Sequence, residues 1–309
     1  MTDIEVKNNF QLKNLTSFKI GGAAEKLYFP KFQQEFVHLL KNLVNPLIFG
    51  NWSNVLISSD GIKGEVISTS KLDKFEIKGT KIYADCGVKG PLLAQKAQES
   101  GLTGFEFMIG FPGSLGGNIY MNASAHAQCI SDFLVSCCVF DTQKKEILVL
   151  EKKDLCCAYR SSVLQKKPYI LLSAEFELKK AKKEEIDALV ERNMEFRKNF
   201  QPALNSPNAG SIFKNPENDS AGRLLDKAGA KELEFGGAKV WQNHANFIVN
   251  TGNATSEDVL ELMLKMYNLV KDKYTIELSP EIKYFGEKSK REAQICNILY
   301  GQKQIKTQK

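Results

Sequence analysis

Through the first part of the chain, apolar and polar positions alternate in short runs. The period of two predicts strands at Ala24–Phe29, Leu47–Phe49, Gly64–Ile67, Phe75–Lys78 and Lys81–Asp85. A helix is predicted over Pro91–Ser100, with Pro91 in its first turn, where the missing N–H costs nothing, and Gly101 just past its end. Further strands are predicted near Val135–Asp141, Glu146–Leu150 and Tyr169–Leu178. Strands come in succession, without a helix between each pair, so the class is α+β and not a doubly wound parallel sheet.

The second half changes period. Glu184 to about Lys198 reads as a charged helix ending at Gln201-Pro202, and we take it as a bridge between two domains. A helix near Ala221–Ala228 is closed by Gly229. Thr255-Ser-Glu-Asp258 fits a capping box, and Val259, Leu262, Met263, Met266, Leu269 and Val270 then share one helical face, the stripe of a core-packing helix. The last 20 or so residues read as a basic, frayed tail. The expected boundaries are 1–180, in lobes of about 1–70 and 71–180, a bridging helix over 181–200, a second domain over 201–290, and a tail over 291–309.

Composition narrows the class. The chain has 309 residues, 43% hydrophobic and 25% charged, with a formal charge of +6 spread along its length. Nucleic-acid binders cluster their basic excess and interleave aromatics, so no nucleic-acid partner is expected. No stretch approaches the roughly 18–20 apolar residues of a membrane span. The N-terminus MTDIEVKNNF lacks the apolar core of a signal peptide, so a cytoplasmic location is expected. Seven cysteines include two adjacent pairs and no CxxC spacing, and His38, His126 and His244 are far apart in sequence. Buried, reduced thiols and no metal site are the expectation.

Six of the 22 glycines fall between 101 and 117, in GLTGFEFMIGFPGSLGGNIYMN. Glycine lets backbone approach a ligand closely, and successive N–H groups in such turns make a nest for phosphate oxygens. The spacing Gly110-x-x-Gly113-x-x-Gly116-Gly117 matches neither the dinucleotide fingerprint nor a Walker loop. An elaborate turn is as good a reading as phosphate binding from this segment alone. A second polar turn, Phe49-Gly50-Asn51-Trp52-Ser53-Asn54, lies between two apolar runs, and two such loops favour a diphosphate clamp over coincidence.

Eight segments, in order, resemble one family. They are Asn14–Gly22, Gly50–Leu56, Gly101–Ala123, Ala158–Ser162, Gln201-Pro202, Ala209–Pro216, His244–Asn250 and Leu278–Ile282. The chain resembles the UDP-N-acetylenolpyruvoylglucosamine reductase (MurB) family, the flavoenzymes that complete UDP-N-acetylmuramate for peptidoglycan. The resemblance implies a two-lobed FAD-binding domain of the PCMH/vanillyl-alcohol-oxidase type, followed by a smaller α+β substrate-binding domain. It also implies non-covalent FAD between the lobes, its diphosphate on the loops of Gly50, Asn51, Trp52, Ser53 and Asn54 and of Gly110, Pro112, Gly113, Ser114, Gly116 and Gly117, with Asn122 and Ala123 nearby. The length, and the short connection from Gly236-Gly237 to His244, are similar to the shorter subclass, which lacks an extra substrate-covering loop. A monomer is expected.

The implied reaction uses NADPH as co-substrate and UDP-N-acetylglucosamine enolpyruvate as substrate, with cofactor chemistry positioned by the protein. By resemblance, Arg160 would hold the substrate carboxylate, Glu281 would donate a hydrogen bond as charge builds there, and Ser211 would protonate the neighbouring carbon. An ionised glutamate would repel that carboxylate, so Glu281 is expected to be at least partly protonated in the complex. Tyr159, Lys214, Asn215 and His244 are possible substrate contacts. The chain departs from the family pattern at Trp52 and Ala127, where glycines are usual, and at Ser124, also usually glycine. At Trp52 either the backbone differs or the ring has a role near FAD. The alternatives are another flavin oxidoreductase of this fold and a non-enzymatic UDP-sugar sensor.

Overall fold

The computed structural model describes residues 4–301. The chain forms two compact units. Described residues of the first are 4–7, 26–51 and 65–197, and of the second 8–25, 52–64 and 198–301. Residues 8–25 and 52–64, which the sequence reading groups with the N-terminal region, thus belong to the second unit.

The first unit is built on a five-stranded antiparallel sheet in the order Glu146–Glu151, Leu134–Asp141, Tyr169–Glu177, Lys81–Asp85, Phe75–Lys78. Consecutive strands pair by simple hairpins at its outer edges, as in Cys137↔Leu150 and Ile77↔Ile82. Leu47–Phe49 runs parallel to the end of Ile62–Ser68, with Leu47 opposite Val66. Among the described residues its α-helices are α1 (Gln33–Asn42), α2 (Gly90–Glu99), α3 (Leu115–Tyr120) and α4, which starts at Lys183 and ends at Phe200, three residues past the unit's boundary. Phe36, Phe105, Phe107, Phe140 and Phe176 are fully buried in one core.

The second unit has a four-stranded antiparallel sheet in the order Asn208–Ser211, Phe247–Asn250, Ala238–Val240, Glu234–Phe235. Val55–Ile57 and Lys283–Phe285 form a separate parallel pair, Leu56 opposite Tyr284. Helices α5 (Ala221–Ala228), α6 (Ser256–Tyr274) and α7 (Lys290–Tyr300) complete it. The capping box at Thr255 and Asp258 forms as expected, and Val259, Leu262, Met263, Met266 and Val270 are buried.

The C-terminal stretch expected to fray is a correction. Residues Lys290–Tyr300 are helical, with a capping box between Ser289 and Glu292. Ile295, Cys296 and Leu299 are buried in the second core, so an apolar stripe outweighs the basic composition. Residues 302–309 of that tail lie outside the described residues. The thiol expectation holds for Cys86, Cys137 and Cys296, which are buried, while Cys156 is exposed. Among the described residues no helix is long and apolar enough to cross a membrane.

Candidate functional site

In the first unit the glycine-rich loop is stitched to residues 86–90. Gly116 N–H donates to Cys86 O at 2.7 Å, Leu115 N–H to Val88 O at 2.8 Å, and Gly90 N–H to Gly113 O at 2.9 Å. Ser114 caps α3, its Oγ accepting from Gly117 N–H. The loop also meets Gly50: a Cβ there would lie 1.9 Å from Ser114 Oγ and 2.9 Å from Ser114 Cβ, so any larger residue would force Ser114 to move. The two small-residue loops singled out in the sequence therefore touch through Gly50 and Ser114.

This cradle fits an anion. Among the described residues, the backbone N–H groups of Asn51, Gly113 and Ser114 have no protein acceptor, although Gly113 and Ser114 are buried. Buried orphan N–H groups are rare and costly, which points to an acceptor such as a phosphate oxygen. A Cβ at Gly117 would meet nothing closer than 3.7 Å, so space is open beside the loop. Gly110 is backed by Arg197, whose Nε donates to its carbonyl. Ala123 N–H donates to Asn118 O at 2.8 Å, continuing the turn out of α3.

Tyr159 and Arg160 form the corner of a tight turn closed by reciprocal hydrogen bonds between Ala158 and Ser161, 3.0 and 3.1 Å. Arg160 has φ 52°, a left-handed conformation unfavourable for a long side chain. Side chains from three directions hold the turn. Asn122 Nδ2 donates to Ala158 O (3.1 Å), Gln165 Nε2 to Arg160 O (3.1 Å), and Ser162 Oγ to Tyr120 O (2.9 Å). The guanidinium lies 5.3 Å from the Tyr159 ring centroid, and its Nη1 donates to Ser124 Oγ at 3.0 Å. Tyr159 itself is 54% exposed.

In the second unit, residues 70 apart in sequence become neighbours. Phe213 faces Pro280 in an antiparallel bridge. Glu281 N–H donates to Ile212 O at 2.8 Å and Lys214 N–H to Ser279 O at 2.9 Å. The backbone thus puts Ser211 and Glu281 on adjoining segments. Gly210, with φ 78°, allows the β-bulge that precedes Ser211. Asn54 joins the same neighbourhood: its Nδ2 donates to Glu281 O at 3.3 Å and its carbonyl accepts from Lys283 N–H at 3.1 Å. Burial pushes the Lys283 ammonium pKa down; repulsion from Lys214 adds to this and Glu281 opposes it. Lys214, Glu281 and Lys283 therefore share one electrostatic neighbourhood.

At Trp52 the backbone does not depart from a glycine-like conformation. Its backbone keeps the positive φ, 53°, that a glycine would take, and the residue is 4% exposed. Its carbonyl accepts from Ser17 N–H. Gly50 and Asn51 fall in the first unit, and Trp52, Ser53 and Asn54 in the second.

Two expected substrate contacts carry structural duties. Asn215 Oδ1 accepts from Ala221 N–H at 3.0 Å, at the start of α5. His244 packs against Gly222, where a Cβ would come within 2.6 Å of its ring, and edge-on to Phe247. Its Nδ1 accepts from Asn246 N–H at 3.2 Å, so the neutral ring carries its proton on Nε2. Burial pushes its pKa below the ordinary histidine value. The sequence marks Ser124 only as a departure from the family pattern, and gives Gln165 and Asn246 no role. The signal for Asn246 was present: an amide inside the apolar run Ala245–Val249 must find partners when buried.

The family model described as FAD binding domain matches residues 33–149, a span that includes both small-residue loops. The chain is an FAD-dependent oxidoreductase of mixed α and β structure. The model for the UDP-N-acetylenolpyruvoylglucosamine reductase C-terminal domain matches residues 201–285. A UDP-N-acetylenolpyruvoylglucosamine reductase of Caldanaerobacter subterraneus subsp. tengcongensis is 42% identical over 284 residues, 91% of this chain and 93% of that protein. One from Bacillus licheniformis is 40% identical over 290 residues, 92% of this chain and 95% of that protein. The crystal structure of the reductase (MurB) from Thermus caldophilus superposes with a TM-score of 0.79 at 32% identity, covering 92% of this chain and 99% of that one. The chain belongs to the UDP-N-acetylenolpyruvoylglucosamine reductase family.

Proposed function

We infer that this chain reduces UDP-N-acetylenolpyruvoylglucosamine to UDP-N-acetylmuramate for peptidoglycan synthesis, with NADPH as reductant and non-covalently bound FAD. The region of residues 1–180 would carry FAD and that of 201–290 the sugar nucleotide. Within the chain, the observation that supports the reading is the hydrogen bond from Glu281 N–H to Ile212 O, which sets the segment of Glu281 beside the one that carries Ser211.

When bound, FAD supplies the two-electron transfer between NADPH and the enolpyruvyl group. The N–H groups of Asn51, Gly113 and Ser114 would hold its diphosphate, with no lysine required. Arg160 would pair with the substrate carboxylate, its permanent charge stabilising the enolate-like state. Glu281, protonated, would donate to the same group, a bond that strengthens as negative charge accumulates. Ser211 would deliver the proton to the carbon next to the carboxylate. A hydroxyl is a weak acid, but a carbanion-like carbon is basic enough to take its proton. Lys214 would meet the anionic part of the substrate. Asn215 and His244 would act through the structure they hold, and Tyr159 by shielding the Arg160 guanidinium.

Anaerobic mixing tests the reading. NADPH should bleach the flavin absorbance, and the enolpyruvyl sugar nucleotide should restore it. Bleaching reversed by oxygen but not by that substrate would favour an oxidase. A colourless protein that binds the UDP-sugar would favour a sensor. A cytoplasmic location and a monomeric state are the accompanying expectations, the second checked by light scattering on the purified protein.

A further inference from the structure

Arg160 sits on one strained turn, and the hydroxyl it touches sits on another. Ser124 lies in a two-residue strand, Ser124–Ala125, paired antiparallel with Gln128–Cys129. The connecting residues His126 (φ 52°) and Ala127 (φ 61°) are both left-handed, the geometry that matches the twist of a short hairpin. The His126 ring rests edge-on against Phe196, 5.2 Å between centroids. Asn122, 6% exposed, ties the two turns together. Its Nδ2 donates to Ala158 O beside Arg160, and its Oδ1 accepts from Ser131 N–H just beyond the hairpin. The Ser124 Oγ is thereby held on a stem of one rotatable bond, 3.0 Å from Arg160 Nη1.

A guanidinium on a flexible stem loses much rotamer freedom when it is fixed. A carboxylate is best gripped by two parallel N–H groups, so the rotation of the guanidinium plane matters as well as its location. We propose that Ser124 is a positioning residue for Arg160: its hydroxyl fixes the guanidinium plane in the orientation that receives the substrate carboxylate. This rests on the reading of Arg160 as the partner of that carboxylate. Ser124 needs no contact with substrate, because it acts through Nη1.

The test uses FAD-loaded enzyme. Ser124→Ala should weaken binding of UDP-N-acetylmuramate, followed by calorimetry, by about tenfold, the scale of one hydrogen bond to a charged group. Flavin reoxidation by the enolpyruvyl substrate should slow by a similar factor, while flavin reduction by NADPH keeps its rate. Ser124→Gly should repeat the result and Ser124→Thr, which keeps the hydroxyl, should restore it. In an Arg160→Ala background, adding Ser124→Ala should change nothing further. Wild-type affinity and reoxidation in both hydroxyl-free variants would overturn the proposal. So would an undiminished effect of Ser124→Ala in the Arg160→Ala background. If Arg160→Ala itself kept wild-type affinity and reoxidation, the underlying reading of Arg160 would fail instead.

Discussion

Asn246 and Phe213 are joined by two hydrogen bonds: the Phe213 N–H donates to Asn246 Oδ1 at 2.9 Å, and Asn246 Nδ2 donates to Phe213 O at 2.8 Å. The backbone of Asn246 also accepts from Ile212 N–H. One buried amide therefore completes the backbone pairing of the segment that follows Ser211, with Asn246 3% and Phe213 1% exposed. Asn246→Ala would leave both polar groups of Phe213 without partners, at about 1–3 kcal/mol each. Urea unfolding should show a loss of about 2–4 kcal/mol, and Asn246→Asp, whose buried carboxylate would face the Phe213 carbonyl with no proton to donate, should cost at least as much.

Ser211→Ala separates the two half-reactions. Flavin reduction by NADPH should proceed at the wild-type rate. Reoxidation by the enolpyruvyl substrate should slow by about 10²–10⁴, the usual contribution of a positioned proton donor. Stopped-flow absorbance reads both, and two unaltered rates would remove Ser211 from the proton-donor role.

Glu281→Gln keeps a donor in place while abolishing titration. The backbone bond to Ile212 does not depend on the carboxyl, so the fold should persist. The variant should react measurably more slowly with substrate and lose the alkaline fall in reoxidation rate that a protonated carboxyl imposes. An unchanged pH profile would count against a protonated Glu281.

Two glycine-like positions should respond in opposite directions. Ala127 is exposed with φ 61°, and its methyl group has little burial to offset about 1 kcal/mol of left-handed strain. Ala127→Gly should therefore stabilise the protein by up to about 1 kcal/mol. Trp52 has the same strain at φ 53° but is 4% exposed. Removing a buried indole costs about 3–5 kcal/mol, more than the strain relieved, so Trp52→Gly should destabilise by about 2 kcal/mol. Chemical denaturation of both variants checks the two signs.

His244 makes stability depend on pH. Its folded pKa is depressed by burial, with the Lys231 charge adding and Asp226 opposing. Its contribution is complete above the unfolded value of about 6.5 and declines as pH falls from there toward the folded pKa. His244→Asn, whose Oδ1 can take over the acceptor role of Nδ1, should flatten that decline. Unfolding midpoints between about pH 5 and pH 7.5 measure it; equal slopes in the two proteins would refute the assignment.

Local patterns in the chain were enough to define α6, because its capping box and apolar stripe are read within 20 or so consecutive residues. The same holds for the strands Leu47–Phe49, Phe75–Lys78 and Lys81–Asp85, which form with the expected ends. Helix α7 was legible in part through Ser289-Lys-Arg-Glu292, a capping-box signature that the basic composition around it obscured.

The sequence by itself determined the family, the α+β class, and which residue types could carry anion binding and proton transfer, since these follow from side-chain chemistry and short-range periodicity. Only the tertiary structure decided that the segment of Ser211 adjoins that of Glu281, that Ser124 meets Arg160, and that Trp52 keeps a glycine-like backbone. Those outcomes depend on pairings between segments tens to hundreds of residues apart, and on whether burial outweighs local strain, neither of which is encoded in any single stretch of chain.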